Sequence, residues 1–309
     1  MINTDFNSII ELLKAFPDEQ SCIDHLEILR WNGYVVSPFD ETSKVYKCKG
    51  SKYRCKNTGK YFNVKTKTLF DNTKVPLQKW FLAIWLVTSH KKGISSTQLA
   101  RDIDVTQKTS WFMLHRIRKC FGIENNNDLD NNVEIDETYV GGKNKNRHKS
   151  KKVEKSQGRS AKDKTPVVGM IERGGKLNAR KVDDVGIRTL TNEIAENVKE
   201  SARISTDEWI GYNGLARIYD HAIVKHSMGE YVRDDVHTNT IEGFWSLLKR
   251  GIIGIYHFVS KKHLQNYVDE FVFRYNTREH GEASRMNVLF SNMGVRTTYK
   301  ALICGGVVR

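Results

Sequence analysis

The sequence lacks long apolar runs, a leader-like N-terminus and paired cysteines. Its longest apolar run, residues 81–87, is far short of the roughly 20 residues that span a bilayer, so we expect no membrane segment. Residues 1–6 have no basic start followed by an apolar core, so we expect no secretory signal. Five cysteines, an odd and scattered set, argue against a disulfide framework. Together these absences favour a protein of a reducing cytoplasm.

What the sequence does have is a one-sided charge balance. Fifty Lys and Arg residues stand against 36 Asp and Glu, giving a formal net charge of +14 over 309 residues. Such an excess favours a polyanion such as DNA as the partner, although merely basic proteins share it. The length suggests about two domains, with enough chain to bury a full core.

The first 121 residues predict a small DNA-binding head in three parts. Residues 1–43 predict a helical segment, with two short helices split at Pro17. Residues 44–74 predict a basic β-hairpin unit, because the stretch 44–79 holds eleven Lys or Arg and a single acid. Residues 75–121 predict a helix-turn-helix region that follows an apolar helix.

Capping signals locate the helix pair of that region. Ser95 or Ser96 is placed to cap the first helix, and Thr106 to cap the second, which begins at Gln107. Asp104 occupies the turn between them, where left-handed backbone is needed, and Asp tolerates that conformation better than most residues.

The rest of the chain predicts an α/β domain. A polar, Asn-rich stretch at 122–132 is typical of a linker, the α/β domain is expected over 133–285, and a C-terminal extension over 286–309. Residues 143–164 hold ten Lys or Arg and almost nothing apolar, which predicts a mobile, solvated loop. The predicted order is three strands, helix, strand, helix, strand and helices. A ribonuclease-H-like mixed sheet has this order.

Three acids lie where such a fold would bring them together. Asp136 lies in the first predicted strand, Asp207 ends the fourth, and Glu242 opens a helix 35 positions later. Two acids on strands and a third on a helix are the arrangement that holds a pair of divalent cations for phosphodiester chemistry. Strict alternation puts Asp136 on the polar face of its strand with Glu134, and Glu137 is the rival if the register differs.

A basic residue follows on the same helix. Lys249 comes seven residues after Glu242, two helical turns, so the two lie near one face. Lys249 could there contact DNA phosphates beside the metal site, and a solvent-facing helix charge is the equal alternative.

These motifs resemble the DDE transposases of bacterial insertion sequences, specifically the ISXO-like group. The matching stretches are Trp80, 91–96, 108–111, 135–143, 237–242, 247–251, 256–257 and 273–276. The resemblance implies a zinc-ribbon and helix-turn-helix head ahead of a ribonuclease-H-like catalytic domain. It implies Asp136, Asp207 and Glu242 as the ligands of two Mg²⁺ or Mn²⁺ ions, with Lys249 as an accessory DNA contact. His237, Asn239 and Tyr256 are family-like positions for which structural hydrogen bonding is an equally good interpretation.

The ribbon departs from the family pattern. Members of the group carry two Cys-x-x-Cys pairs, a strong zinc signal, but the corresponding positions are Ser-Pro-Phe-Asp at 37–40 and Cys-Lys-Asn-Thr at 55–58. Cys55 alone is kept, Cys48 is misplaced, and His25 lies on a predicted helix. We therefore expect a degenerate, metal-free basic hairpin without structural zinc.

The sequence thus predicts a DNA transposase that binds terminal inverted repeats, cleaves the strands and transfers them to target DNA. The helix from Gln107 is expected to read bases and the basic hairpin to hold phosphates. The expected DNA contacts are Lys52, Arg54, Lys108, Thr109, Lys249 and Arg250. We expect double-stranded DNA as the partner, a homo-oligomer in the DNA complex and no membrane. Two alternatives stay open: a decayed transposase that acts as a non-catalytic DNA-binding regulator, and a host nuclease of the same fold.

Overall fold

The chain divides into two units, and the computed structural model describes residues 6–142, 148–154, 163–224 and 236–304. One unit comprises Met1–Phe121 together with Glu279–Arg309, and the other comprises Gly122–Arg278. The C-terminal segment groups with the head from residue 279 onward, whereas the sequence predicted an α/β domain that continues to 285.

The bounds of the regular elements follow in chain order. The helices are α1 (Ile9–Ala15), α2 (Glu19–Trp31), α3 (Leu77–Ser89), α4 (Ser96–Asp102), α5 (Gln107–Phe121), α6 (Ile187–Ala195), α7 (Asn239–Gly251), α8 (Leu264–Asn276), α9 (Glu282–Ser291) and α10 (Tyr299–Cys304). The strands are β1 (Val45–Lys47), β2 (Tyr53–Cys55), β3 (Tyr61–Phe62), β4 (Asn132–Val140), β5 (Thr165–Glu172), β6 (Leu177–Lys181), β7 (Arg203–Asp207) and β8 (Asp220–Val224).

In the head unit, local signals begin and end the first two helices. The Ser8 side chain accepts a backbone N–H at the start of α1, and Asp18 forms a capping box with Ser21 at the start of α2. Asn32 ends α2 in the left-handed conformation, with φ of 45°. The two helices predicted on either side of Pro17 are therefore confirmed.

An aromatic core joins the N- and C-terminal parts of the head unit. Phe81 of α3 lies between Phe16 and Phe290 of α9, with ring centroids 4.9 and 4.7 Å away. The buried His25 has its Nε2 2.9 Å from the Asn287 Oδ1 atom, and burial lowers its pKa. His25 is thus a core side chain, and α9 completes this core rather than extending the sheet unit.

Local signals also set the bounds of α4 and α5. Ser95 caps α4, and the Thr106 hydroxyl accepts the Thr109 N–H at the start of α5. Asp104 has a φ of 49°, the left-handed backbone expected of the turn. The capped helix starts and the tight turn are therefore as expected from the sequence, and a helix-turn-helix role for the α4–α5 pair stays a prediction.

The basic hairpin forms a three-stranded antiparallel sheet, in the order β1-β2-β3. Tyr53 and Phe62 are buried on one face, where Trp31 packs edge-on against both rings. Tyr46 and Tyr61 are instead 42% and 61% exposed. This small sheet is therefore held by one aromatic face, and its other face is left to solvent.

The second unit is built on a five-stranded mixed sheet in the order β6-β5-β4-β7-β8. Strands β4, β5 and β6 pair antiparallel, and β7 and β8 continue parallel to β4. The Gly174 turn that joins β5 to β6 has a φ of 72°, as its Gly-Gly sequence predicts. This order and these directions are compatible with a ribonuclease-H-like domain.

Alternation along the sheet separates two apolar cores. Val133 and Ile135 of β4 join a core that is covered by α6, while Val140 packs against a core covered by α7 and α8. The predicted faces of the first strand are confirmed, because Glu134 and Asp136 occupy the α7 side.

The segment 122–132, predicted as a linker, is fastened to the sheet unit. Asn125 is fully buried and exchanges two hydrogen bonds of 2.8 Å with the backbone of Ala179 in β6. The backbone N–H of buried Leu129 donates to the Asn197 carbonyl. The Asn-rich composition that suggests a solvated linker here supplies amides that complete the edge of the sheet.

The last long helix of the sheet unit, α8, begins at Leu264, with His263 as its N-cap residue. The Lys- and Arg-rich stretch at 143–164, predicted to be a mobile loop, lies for the most part outside the described residues.

Candidate active site

The sheet brings two of the three predicted acids together. Asp136 lies within β4, and Asp207 is the last residue of the adjacent parallel strand β7. The strands pair Glu134 with Ser205, so continuing that register by two residues places Asp136 opposite Asp207. Asp207 is buried, and its Oδ1 atom accepts the Trp209 N–H at 3.0 Å. The two carboxylates are therefore neighbours at the centre of the sheet.

The surroundings of Asp136 raise the pKa of its carboxyl group. Burial raises the pKa of the carboxyl, and the negative charges of Glu137 and Asp207 raise it further, to about 7, although a hydrogen bond from Trp245 opposes the shift. Glu137, the register rival, lies on the opposite face, where it accepts the hydroxyl of the buried Tyr212 at 2.8 Å. The register thus gives Asp136, rather than Glu137, to the α7 side of the sheet.

Trp245 of α7 orients Asp136. Its indole Nε1–H donates to the Asp136 Oδ2 atom at 3.0 Å. The ring reaches that position across Gly169 of β5, the residue paired with Asp136, where an added Cβ would lie 2.6 Å from the indole. A glycine is therefore needed at this point of β5 for the close approach of α7.

Glu242 lies in the first turn of α7 and is exposed. Its Oε1 atom is 3.2 Å from the Thr238 hydroxyl, and helical spacing makes it a neighbour of Trp245 three residues on. Within the described ranges, no group of three or more His, Cys, Asp or Glu side chains is arranged to hold a metal ion. Asp136 and Asp207 therefore lie on adjacent strands, and Glu242 lies on α7, the helix whose Trp245 contacts Asp136.

Glu134 is a site residue that the sequence reasoning left unassigned. Its buried carboxylate accepts the N–H groups of Thr240 and Ile241 at the start of α7, at 2.8 and 3.1 Å. It also accepts the Arg173 Nε–H at 2.7 Å. The alternation of side chains along β4 predicted that Glu134 lies on the same face as Asp136. No local pattern, however, predicts hydrogen-bond partners that lie more than 100 residues away in the sequence.

The remaining residues predicted for a site in this unit are either exposed on α7 or in contact with buried carboxylates. Lys249 and Arg250 are exposed in the last turn of α7, and Asn239 is exposed as its first residue. The His237 Nδ1 atom lies 3.0 Å from Glu134, and the Tyr256 hydroxyl donates to buried Glu270. Tyr256 therefore has the structural hydrogen bond that the sequence left as one interpretation, whereas His237 only lies close to Glu134.

In the head unit, three of the four predicted DNA contacts are exposed. Lys52 and Arg54 are exposed in and beside β2, with the Arg54 guanidinium over the Tyr61 ring at 5.8 Å. Lys108 is exposed in the first turn of α5, its ammonium 5.1 Å from the Tyr299 ring of α10. Thr109 is half-buried, with its hydroxyl 2.9 Å from that of Thr106.

Ser37 and Thr58, at two of the four positions that carry cysteines in a zinc ribbon, interact with Cys55 at a third. Cys55 and Ser37 are fully buried. Burial would raise the pKa of the Cys55 thiol, but hydrogen bonds from Ser37, Ser43 and Thr58 outweigh it and lower the pKa to about 6. Asp40 accepts the Asn57 amide at 2.8 Å instead of joining the cluster.

The sequence of this chain is similar to sequences from transposable elements. Residues 128–276 match the ISXO2-like transposase domain. A protein of Halobacterium salinarum described as an uncharacterized protein in transposable element ISH50 is 32% identical over 279 residues, covering 85% of this chain and 92% of that protein. No helix within the described ranges is both long enough and apolar enough to cross a membrane.

Proposed function

The chain belongs to the ISXO2-like transposases of insertion sequences, and from that premise we propose that it cleaves the ends of a mobile DNA element and joins them to target DNA. The observation that carries the proposal is the electrostatic interaction of Asp136 with buried Asp207 on the adjacent strand, beside the helix that bears Glu242.

The donor set fits a hard divalent cation. Carboxylate oxygens are the ligands that Mg²⁺ and Mn²⁺ prefer, and the repulsion that raises the pKa of Asp136 is relieved by a cation. Asp136, Asp207 and Glu242 would hold the metal. When bound there, Mg²⁺ or Mn²⁺ would supply activation of the attacking oxygen and stabilisation of the leaving oxygen.

The chain's own groups prepare this chemistry. Trp245 holds the Asp136 carboxylate in one orientation, so one potential ligand is fixed before the metal binds. Lys249, exposed two turns beyond Glu242, is placed to contact a phosphate of the bound strand. No Ser, Cys or His nucleophile is needed, because the attacking groups are water and the freed 3′-hydroxyl.

Recognition of the element ends belongs to the head unit. The N-terminal turn of α5, with Lys108 and Thr109, would read bases in the major groove. Lys52 and Arg54 of the basic hairpin would hold phosphates, together with Arg250 of the sheet unit. Transposition joins two ends, so we expect the chain to act as a homo-oligomer on DNA.

The test is strand cleavage by an Asp207→Asn variant. We expect the purified variant in Mg²⁺ to lose nicking of a plasmid that carries the element ends, while its DNA affinity stays within a few-fold of wild type, because the substitution removes a metal ligand and leaves the head untouched. Asp220→Asn is the matched control, an exposed Asp on the next strand beside Arg203, and it should retain cleavage.

The outcomes separate the rival functions. Nicking by Asp207→Asn at a rate near wild type would refute this site. DNA binding without nicking by the wild type would favour a non-catalytic regulator, an alternative that the altered ribbon around Cys55 supports. Cleavage without joining would favour a nuclease.

A further inference from the structure

Glu134 is a buried charge with an unusual number of donors. Its side chain has no exposure, and its Oε2 atom accepts the N–H groups of Thr240 and Ile241. Its Oε1 atom lies 2.9 Å from the Thr240 hydroxyl, 2.7 Å from the Arg173 Nε atom and 3.0 Å from the His237 Nδ1 atom. A carboxylate taken out of water is tolerated only when such bonds replace its hydration.

These bonds close the N-terminus of α7 from outside the helix. The first N–H groups of a helix have no partner within it, and Thr238, the N-cap residue of α7, makes no side-chain cap bond. Glu134 supplies the missing acceptor from β4 and places a negative charge at the positive end of the helix dipole. Arg173 extends the contact by donating to the His237 carbonyl at 2.9 Å. The segment from His237 to Ile241 is therefore attached to the strand that carries Asp136.

We propose that Glu134 is a positioning residue that holds the first turn of α7 so that Glu242 can act with Asp136 and Asp207. This inference rests on the proposed function, because it gives Glu242 a role as a metal ligand. Glu242 follows Ile241 directly, and Glu134 precedes Asp136 by two residues on the same face. One carboxylate thus joins the two elements that carry the separated ligands. Glu134 itself is no candidate ligand, because its oxygens already accept four hydrogen bonds.

The experiment measures Mn²⁺ affinity of the full chain without DNA, by the loss of the free-ion electron paramagnetic resonance signal. We expect Glu134→Gln to weaken Mn²⁺ binding about tenfold or more, within the roughly 10–100-fold range for partners of metal ligands. Glu242→Gln should also weaken it. In the double variant the effects should not add, because Glu134 acts through Glu242.

Glu137→Gln is the matched control. It makes the same substitution in the same strand, at a buried carboxylate that accepts one hydroxyl on the opposite face. Any effect on Mn²⁺ affinity should arise from its charge near Asp136, and should therefore add to that of Glu242→Gln.

Three outcomes separate this inference from the proposed function. Wild-type Mn²⁺ affinity in Glu134→Gln, or additive effects in its pair with Glu242→Gln, would overturn the positioning role alone. If Asp207→Asn and Glu242→Gln both bind Mn²⁺ as wild type does, the proposed site is wrong. If Glu134→Gln fails to fold, Thr240→Val tests the same contact, since it removes one donor to Glu134 and keeps the backbone bonds. A few-fold loss that is absent in the Glu242→Gln background is then expected, and no loss would count against the role.

Discussion

Asp136→Asn should stabilise the metal-free protein, although it removes a proposed catalytic group. In the folded chain, burial and the charges of Glu137 and Asp207 raise the pKa of Asp136 from 3.8 to about 7. The folded state therefore keeps a proton that the unfolded chain releases as the pH rises from about 4 to 7. Stability falls over that window, and the carboxylate's cost is complete only above about pH 7.

The magnitude follows from the size of the pKa shift. Between the two pKa values the cost grows by about 1.4 kcal/mol for each pH unit. From pH 5 to the folded pKa of about 7, the free energy of unfolding of the wild type should lose about 2–3 kcal/mol relative to Asp136→Asn. Asn has the shape of the protonated acid, and its carbonyl oxygen can still accept the Trp245 N–H. Any constant cost of the amide cancels when the two pH values are compared.

The assay is urea unfolding in EDTA at pH 5 and pH 8, with hydrogen exchange of the β4 amides as a local measure. The wild type should lose stability relative to the variant between the two pH values, and Asp220→Asn, at an exposed site, should follow the wild type. At pH 8, excess Mg²⁺ should then stabilise the wild type and leave Asp136→Asn largely unaffected. Parallel pH profiles for wild type and Asp136→Asn would refute the reasoning, because they would mean that Asp136 carries no buried, repelled charge.

Three further predictions concern packing, charge and metal. Gly169→Ala should destabilise the sheet unit by about 1–3 kcal/mol, because the added methyl group displaces Trp245. Gly243→Ala, with open space around it on α7, should instead raise the free energy of unfolding by up to about 1 kcal/mol. Equal thermal melting temperatures for the two variants would contradict this prediction. DNA affinity should fall steeply with salt, with a slope of about −0.9 per phosphate contact, and neutralising the cations of 143–164 should flatten the slope; an unchanged slope would exclude that stretch from binding. The chain should fold and bind DNA without zinc, so elemental analysis that finds one zinc per chain, lost with the fold in Cys55→Ser, would contradict the degenerate ribbon.

Local patterns predicted the features of this chain that depend on neighbours in sequence. Alternation over 133–140 separated the faces of β4, and capping residues located α4 and α5, because both signals act within a few residues. The turn at Gly174 and the left-handed Asp104 follow from the same local chemistry. These features needed no knowledge of the tertiary fold.

The contacts that organise the candidate site could not be predicted in this way. Glu134 reaches Thr240 across 106 positions, and Trp245 reaches Asp136 across 109. Side-chain periodicity indicates which face is buried, but not which distant residue meets it. The convergence of the three acids was likewise inferred from fold order, which predicts that Asp136 and Asp207 lie on neighbouring strands but does not predict the contacts of the Glu242 side chain.

In the altered ribbon, the sequence motif does not predict the chemical environment of Cys55. By motif, Cys55 is a leftover ligand in a partly exposed hairpin, and nothing in the sequence distinguishes it from the other buried thiols. Yet burial raises the pKa of Cys22 and Cys120 to about 12, while that of Cys55 falls to about 6. The difference comes from the polar groups of Ser37, Ser43 and Thr58, which lower the pKa of Cys55. Three of the four positions that would share a zinc ion, Ser37, Cys55 and Thr58, therefore still interact, beside a small sheet stabilised by the rings of Trp31, Tyr53 and Phe62.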